Sequence, residues 1–298
     1  MKVCIHRGTQ EVGGTCIEIE SQGKRIVLDV GLPLEAIDSI ESLPQVEGFR
    51  ERHEGLLAVV ISHPHLDHYG LTRYLLPDTQ MIMGAATERI LKAAMLFTPV
   101  GVEFKNVLHF KSGKPLSIGP FTITPYLNDH SAYDAYSLLI SADGQRLFYS
   151  GDFRGHGRKA ALFERFLKRP PSNVDVLLME GTTIGRSGSA VPFQTEQELE
   201  QDFVEQIRKT KGMVLVWTSG QNIDRLVTAF KACKKSSRTL ILDMYTAEIL
   251  QATGNSKLPQ AGWKGIKVFL PGSQRRQIIK NQQYKLTERY KPYRIYPK

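Results

Sequence analysis

Residues 62–70 read SHPHLDHYG, which places His63, His65, Asp67 and His68 within six positions. Three of the chain's eight histidines are spent there, beside a carboxylate. Imidazole nitrogen and carboxylate oxygen together form a donor set for zinc, iron or manganese. One histidine beside an apolar run is usually a core residue with satisfied ring nitrogens. Three with an aspartate at this density point to a divalent metal centre rather than to a metal-free hydrogen-bonded loop. The cysteines, Cys4, Cys16 and Cys233, are too scattered to make a thiolate site. Odd in number and widely spaced, they predict no disulfide framework and fit a reducing cytoplasm. Cys4 and Cys16 are expected to pack as small apolar groups.

The elements around this stretch explain how it would be positioned. GLLAVVIS, directly before it, is a nearly continuous apolar run of strand length and predicts a central, buried strand. Continuing that strand's period of two would aim His63 and His65 to one side at its C-terminal end. Asp67 and His68 would follow on a loop and the first turn of a helix. KVCIHR, TCIEIES and KRIVLDVG are short strands separated by glycine-containing turns. AATERILKAAMLF has helical spacing, with Ile90, Leu91, Ala94 and Leu96 toward the core. Strands and hairpins follow, SADG carrying the Asp-Gly hairpin signal. ALFERFLKRPPS is a helix closed by prolines, and VDVLLMEG a further buried strand. The character changes after Pro192. TEQELEQDFVEQIRKTKG predicts an amphipathic helix opened by Thr195 and stopped by Gly212. MVLVWTSG is a strand, QNIDRLVTAFKACKKSS a helix, RTLILDM and GIKVFLPGS two more strands. This alternation implies a small parallel-sheet module. The chain therefore divides into a metal-binding domain, residues 1–190, and a basic α/β module, residues 191–298.

The net charge of +9 is unevenly spread. Residues 1–160 hold 16 Lys or Arg against 18 Asp or Glu, and residues 161–298 hold 23 against 12, so the halves carry −2 and +11. A basic second half suggests an anionic polymer, single-stranded RNA or DNA, against a merely solvated lysine-rich face. Arg208, Lys209, Lys211, Arg275 and Arg276 contribute to that charge. Arg154 and Arg158, in GDFRGHGRK, would be the nearest positive groups on the first domain. Tyr284, Tyr290, Tyr293 and Tyr296 either stack bases or pack the module. No run of about 18 apolar residues predicts a membrane span, and the N-terminus lacks the apolar core of a signal peptide.

His63 to His68 resembles the His-x-His-x-Asp-His signature of the metallo-beta-lactamase superfamily. The likeness extends to Asp29 in IVLDVG, His130 in NDHSAYDAYSLL and Asp152 in LFYSGDFRGHG. VDVLLMEGTT, with Glu180 and Thr182, and GTQEVGG, with Glu11 and Gly13, are similar to segments of the beta-CASP nucleases, the group of ribonuclease J. The resemblance implies an α/β fold, a four-layer αβ/βα sandwich with the beginning of an inserted beta-CASP module. It implies a first metal on His63, His65 and His130, a second on Asp67 and His68, and Asp152 bridging both. Asp29 and Glu180 would orient ligands and complete the catalytic set with Asp67. Two zinc ions are the default, with manganese or iron open. The implied reaction is hydrolysis of phosphodiester bonds by a metal-activated hydroxide, the metals stabilising charge on the phosphoryl oxygens.

The pattern departs from the family in one respect. No histidine occurs after His156, so the superfamily's last metal histidine and the leaving-group histidine of the beta-CASP members have no counterpart. The second metal site is therefore expected to be weak. Three readings follow: a front section of a longer nuclease, a naturally short homologue, or a nucleic-acid-binding relative without turnover. A front section would leave apolar faces to be covered by a second copy or a complementary C-terminal chain. A small-molecule ester or thioester metallohydrolase is the alternative from another substrate class; the Glu180–Thr182 pattern and the basic module weigh against it. RNA or DNA, and cleavage from an end or within the strand, stay open.

Overall fold

A computed structural model describes residues 1–99, 102–184 and 193–296. The expected boundary at 190/191 lies outside the described residues. The first domain is built on two sheets. One is six-stranded, in the order β1 (Lys2–Arg7), β2 (Cys16–Ser21), β3 (Lys24–Leu28), β4 (Leu56–Val60), β5 (Gln80–Gly84) and β6 (Asn106–Phe110). The first three strands are antiparallel and β3 to β6 run parallel. GLLAVVIS supplies β4, at an interior position of the sheet, as its unbroken apolar run requires. The second sheet contains β7 (Leu116–Ile118), β8 (Phe121–Leu127), β9 (Tyr136–Ala142), β10 (Gln145–Tyr149) and β11 (Val176–Leu178), in the order β11-β10-β9-β8-β7. Asp143 and Gly144, both with positive φ, close the β9–β10 hairpin, as the Asp-Gly signal predicts.

Alternation along these strands places Ile19, Ile26, Leu28, Phe121, Ile123, Leu138 and Ile140 between the two sheets. The opposite face of the first sheet is covered by a second cluster, including Phe49, Ile61, Leu71 and Met83. Helices α1 (Leu66–Tyr69) and α2 (Ala85–Ala94) pack on that side, and α3 (Ala160–Lys168) lies beside the second sheet. This is the expected αβ/βα sandwich.

The second module holds α4 (Glu196–Lys209), α5 (Ile223–Lys235), β12 (Leu240–Asp243), α6 (Met244–Ala252), β13 (Ile266–Phe269), α7 (Gly272–Lys280) and α8 (Tyr284–Tyr290). β12 and β13 are parallel, and Arg294 adds a parallel bridge to Val268. Thr195 opens α4 with a reciprocal capping box to Glu198, satisfying two N-terminal donors. The helix ends at Thr210 rather than at Gly212. Ile90 and Ala94 of α2 belong to the same apolar cluster as Leu242, Leu250, Val268 and Tyr290. The module therefore shares a core with the first domain.

Three expectations are corrected. MVLVWTSG forms no strand; Met213, Leu215 and Trp217 are exposed. A strand exists only when its N–H and C=O groups find a partner. Among the described strands none lies alongside residues 213–220 to supply one. β11 is an exposed edge strand rather than a buried one, with Leu177 at 58% exposure. It pairs only with β10 among the described strands. Cys4 is likewise exposed, on edge strand β1, while Cys16 packs in the core.

Phe121 is 0% exposed between the sheets. Phe121→Ala is expected to cost about 3–5 kcal/mol, measured as a fall in unfolding free energy by urea denaturation; a loss under 1 kcal/mol would mean the inter-sheet core is loosely packed.

Candidate metal centre

The ligand segments all leave the C-terminal ends of strands. Asp29 follows β3, His63 follows β4, His130 follows β8 and Asp152 follows β10. β3 and β4 are parallel, and β8 and β10 point the same way because each is antiparallel to β9. Both sheets thus deliver side chains to one rim.

Asp29 organises the site. Its φ of 57° turns the chain out of β3, a conformation that aspartate tolerates better than most residues. Its carboxylate is fully buried. Oδ1 accepts the Ser62 backbone N–H at 2.8 Å. Oδ2 accepts the Ser62 hydroxyl at 2.8 Å, His68 Nδ1–H at 2.7 Å and the Tyr149 hydroxyl at 2.7 Å. With its proton directed to Asp29, Ser62 Oγ offers a lone pair to His63 Nδ1, 3.0 Å away. This network holds the Nδ1–H of both rings: Nε2 of His63 is left with a lone pair toward the pocket, and Nε2 of His68 faces Asp152 Oδ1 at 3.2 Å.

Two triads of donor atoms result. His63, His65 and His130 form one, and His63, His68 and Asp152 the other, each with its ligating atoms within 4.8 Å of one another. His130 Nε2 lies 3.1 Å from His65 Nδ1. A tetrahedral zinc with nitrogen ligands has a donor–donor edge of ~3.4 Å, so this spacing suits a metal. His63 Nε2 is buried and has no hydrogen-bond partner, as expected of an atom shaped for a ligand. Asp152 faces both triads. Its Oδ1 is 3.2 Å from His68 Nε2, and its Oδ2 is 3.9 Å from Nε2 of both His63 and His130. Asp67 stands at the margin, with Oδ2 3.7 Å from His68 Nε2. Gly31 permits its approach: a Cβ there would lie 1.7 Å from the Asp67 carbonyl oxygen.

Burial, reinforced by the neighbouring rings, holds His63 well below the ordinary histidine pKa. Burial likewise lowers His65 and His130. Neutral imidazole is the metal-ligating form. Burial also works against the charged form of His68, but Asp29 and Asp152 outweigh it and raise the group well above its usual value. For Asp152, burial is overcome by the hydrogen bond and charge of His68, leaving its pKa at about 2. Glu180 Oε1 accepts the Phe153 N–H at 2.7 Å and so holds the loop that carries Asp152. Burial raises its pKa.

The arginines are placed differently from the phosphate contacts expected of them. Arg154 donates to Asp224 at 2.5 Å, and Arg158 to Glu200 at 2.6 Å, both carboxylates of the second module. They are drawn inward because an unpaired buried carboxylate is costly and each has a guanidinium within reach. Arg275 and Arg276 are exposed on α7. Tyr290 and Tyr293 pack in the module's core, while Tyr284 and Tyr296 are exposed. Ser62 and Tyr149 escaped the sequence reading. Ser62 had a positional clue, its adjacency to His63, but Tyr149 is 120 residues from Asp29 and had none.

A fold of this kind with such a rim presents a candidate divalent-metal site. The beta-lactamase superfamily domain matches residues 24–216, and the chain belongs to that family. Membership implies a divalent metal here, and the residues present fit one. Among curated proteins, the chain is 23% identical over 251 residues to a Ribonuclease J of Mycoplasma genitalium, covering 81% of this chain and 43% of that protein. It is 26% identical over 250 residues to a Ribonuclease J of Helicobacter pylori, covering 80% and 36%. The chain thus spans about two fifths of the length of these curated relatives. A solved structure of a protein of unknown function from Enterococcus faecalis V583 shares the fold, with a TM-score of 0.71 at 22% identity over 90% of this chain and 69% of that one.

His63→Ala with His65→Ala is expected to abolish metal retained through gel filtration. Asp29→Asn, which leaves every ligand in place but disturbs the tautomers, is expected to weaken zinc binding by about 10–100-fold. Metal analysis and chelator competition measure the two; wild-type metal content in the double variant would overturn the ligand assignment.

Proposed function

We propose that this chain carries the catalytic metal centre of an RNA-cleaving phosphodiesterase. The observation that carries the reading is Asp152, whose two oxygens face two different donor triads across one pocket. The sequence likeness to two Ribonuclease J proteins supports RNA as the polymer. We assign His63, His65 and His130 to a first metal, Asp67 and His68 to a second, and Asp152 to both, with zinc as the default and manganese or iron as alternatives. A metal so held supplies Lewis acidity toward a phosphoryl oxygen and lowers the pKa of water at the site.

The chain's own residues do the remainder. Asp29 and Ser62 hold the Nδ1 edges of His63 and His68, so that Nε2 of each ring faces the pocket. Glu180 holds the Asp152 loop by the Phe153 N–H. Asp67 is set at the pocket margin by the close approach of Gly31. The exposed Arg275 and Arg276, on the basic half, would meet single-stranded backbone through phosphate contacts. No helix among the described residues is long and apolar enough to cross a membrane, and we place the reaction in the cytoplasm on the pattern of scattered cysteines.

The second metal is expected to be the weaker one, because among the described residues its triad borrows His63 from the first and leaves Asp67 at the margin. Zinc titration should show fewer than two tightly held ions per chain; two equally tight sites would contradict this. Cleavage of a labelled single-stranded RNA should stop on chelation and in Asp67→Ala, and return when zinc or manganese is restored. Arg275→Ala with Arg276→Ala should flatten the plot of log affinity against log salt by ~1.4, about 0.7 per lost contact on a single strand. Salt-independent binding, or hydrolysis of a thioester but not RNA, would shift the reading to a small-molecule hydrolase. RNA binding without cleavage in the metal-loaded chain would leave a binding protein.

A further inference from the structure

The loop that carries His130 and the loop that follows Asp152 meet at Asp129, with the Arg154 guanidinium beside it. Asp129, beside His130 in the chain, is 0% exposed. Its carboxylate accepts the backbone N–H groups of Gly157 at 2.7 Å and Lys159 at 3.3 Å. Its carbonyl accepts the Arg154 N–H at 2.7 Å, and its Oδ1 lies 3.8 Å from Arg154 Nε. The far side of that guanidinium donates to Asp224 Oδ2 at 2.5 Å, in the first turn of α5. The same oxygen accepts the Arg158 N–H at 2.9 Å. Asp224 is 5% exposed. The two segments that supply His130 and Asp152 are therefore tied by backbone N–H bonds to Asp129, and the Arg154 guanidinium at their junction is matched in charge from the second module.

We propose that Asp224 is a positioning residue for the metal centre: acting through Arg154 and Asp129, it sets His130 against Asp152, so that docking of the second module tightens the hold on metal. The proposal rests on the metal-hydrolase reading above. Its physical basis is charge balance. Arg154 is largely buried, and its other carboxylate neighbours, Asp129 and Glu196, stand off at 3.8 and 3.9 Å. Without the Asp224 charge, a buried guanidinium is underpaired, and the cheapest relief is for its loop to move toward water. Metal ligands tolerate only about 0.2 Å of displacement, so a small loop shift at Arg154 is felt at His130 and Asp152. Asp224 touches neither ligand.

The test uses the full chain and cobalt(II), whose visible absorption reports the ligand field. Asp224→Asn is expected to weaken cobalt binding on the order of tenfold and to change the visible band. Arg89→Ala is the control. Arg89 ties α2 to the carbonyls of Ala252 and Thr253 at the end of α6, an attachment between the modules away from both ligand loops, and its loss should leave affinity and band at wild-type values. In the His130→Ala background, Asp224→Asn should weaken cobalt binding by less than it does in the wild-type chain, because only the Asp152 side is left to feel the shift; an undiminished effect counts against the proposal. Wild-type cobalt binding by Asp224→Asn overturns the proposal. Equal weakening by Arg89→Ala also overturns it, since the coupling would then belong to docking in general. If Asp224→Asn fails to fold by circular dichroism, Asp224→Glu keeps the charge and shifts it by one methylene; an unchanged cobalt band in that variant counts against the proposal and an altered one supports it. Absence of cobalt binding by the wild-type chain would remove the metal reading itself, a result distinct from wild-type binding left untouched by Asp224→Asn.

Discussion

The fully buried carboxylate of Asp29, with four donors on its two oxygens, is the constraint on which the metal pocket depends. An ionised carboxylate out of water is tolerable only when its lone pairs are answered. Here the answers come from the end of β4, from α1 and from the end of β10, so satisfying one charge brings three strand ends and a helix into register. The same bonds decide which nitrogen of His63 and His68 carries the proton. A ligand set is thereby prepared by hydrogen bonding alone.

Around this centre the protein crowds groups that would otherwise be unfavourable together. Four imidazoles lie with centroids 4.0–4.9 Å apart, and burial keeps three of them below the usual histidine pKa. A stable metal-free core would not select a buried ring nitrogen with no partner, as His63 Nε2 is.

The second module is attached by charge as well as by apolar packing. Arg154 donates to Asp224 across the junction and the Glu196 backbone N–H donates to the His156 carbonyl at 3.0 Å, while within the module Glu196 accepts from Arg225 at 3.1 Å and from Thr228 at 2.6 Å. Glu200 pairs with Arg158 and with Lys235 at 2.7 Å. Part of the positive charge counted in the second half is therefore consumed inside the molecule, along with Arg154 and Arg158. What remains free for an anionic partner is the exposed subset, which a net count of +11 overstates.

The sequence by itself determined the chemistry and much of the frame. His63, His65, Asp67 and His68 were legible as one cluster of donor side chains because local spacing after a strand confines side chains to one rim. β4, α2, the Asp-Gly hairpin and the Thr195 cap were legible because each rests on periodicity or on contacts a few residues apart. Only the tertiary structure decided what depends on distant partners. Tyr149 reaches Asp29 across 120 residues, and Arg154 meets Asp224 across 70; no local pattern encodes either pairing. MVLVWTSG and VDVLLMEG have strand-like composition, yet one has no partner strand among the described residues and the other lies exposed at an edge. Propensity describes what a segment can do on a pleated surface. Burial and pairing are properties of its neighbours, and those are chosen by the fold as a whole.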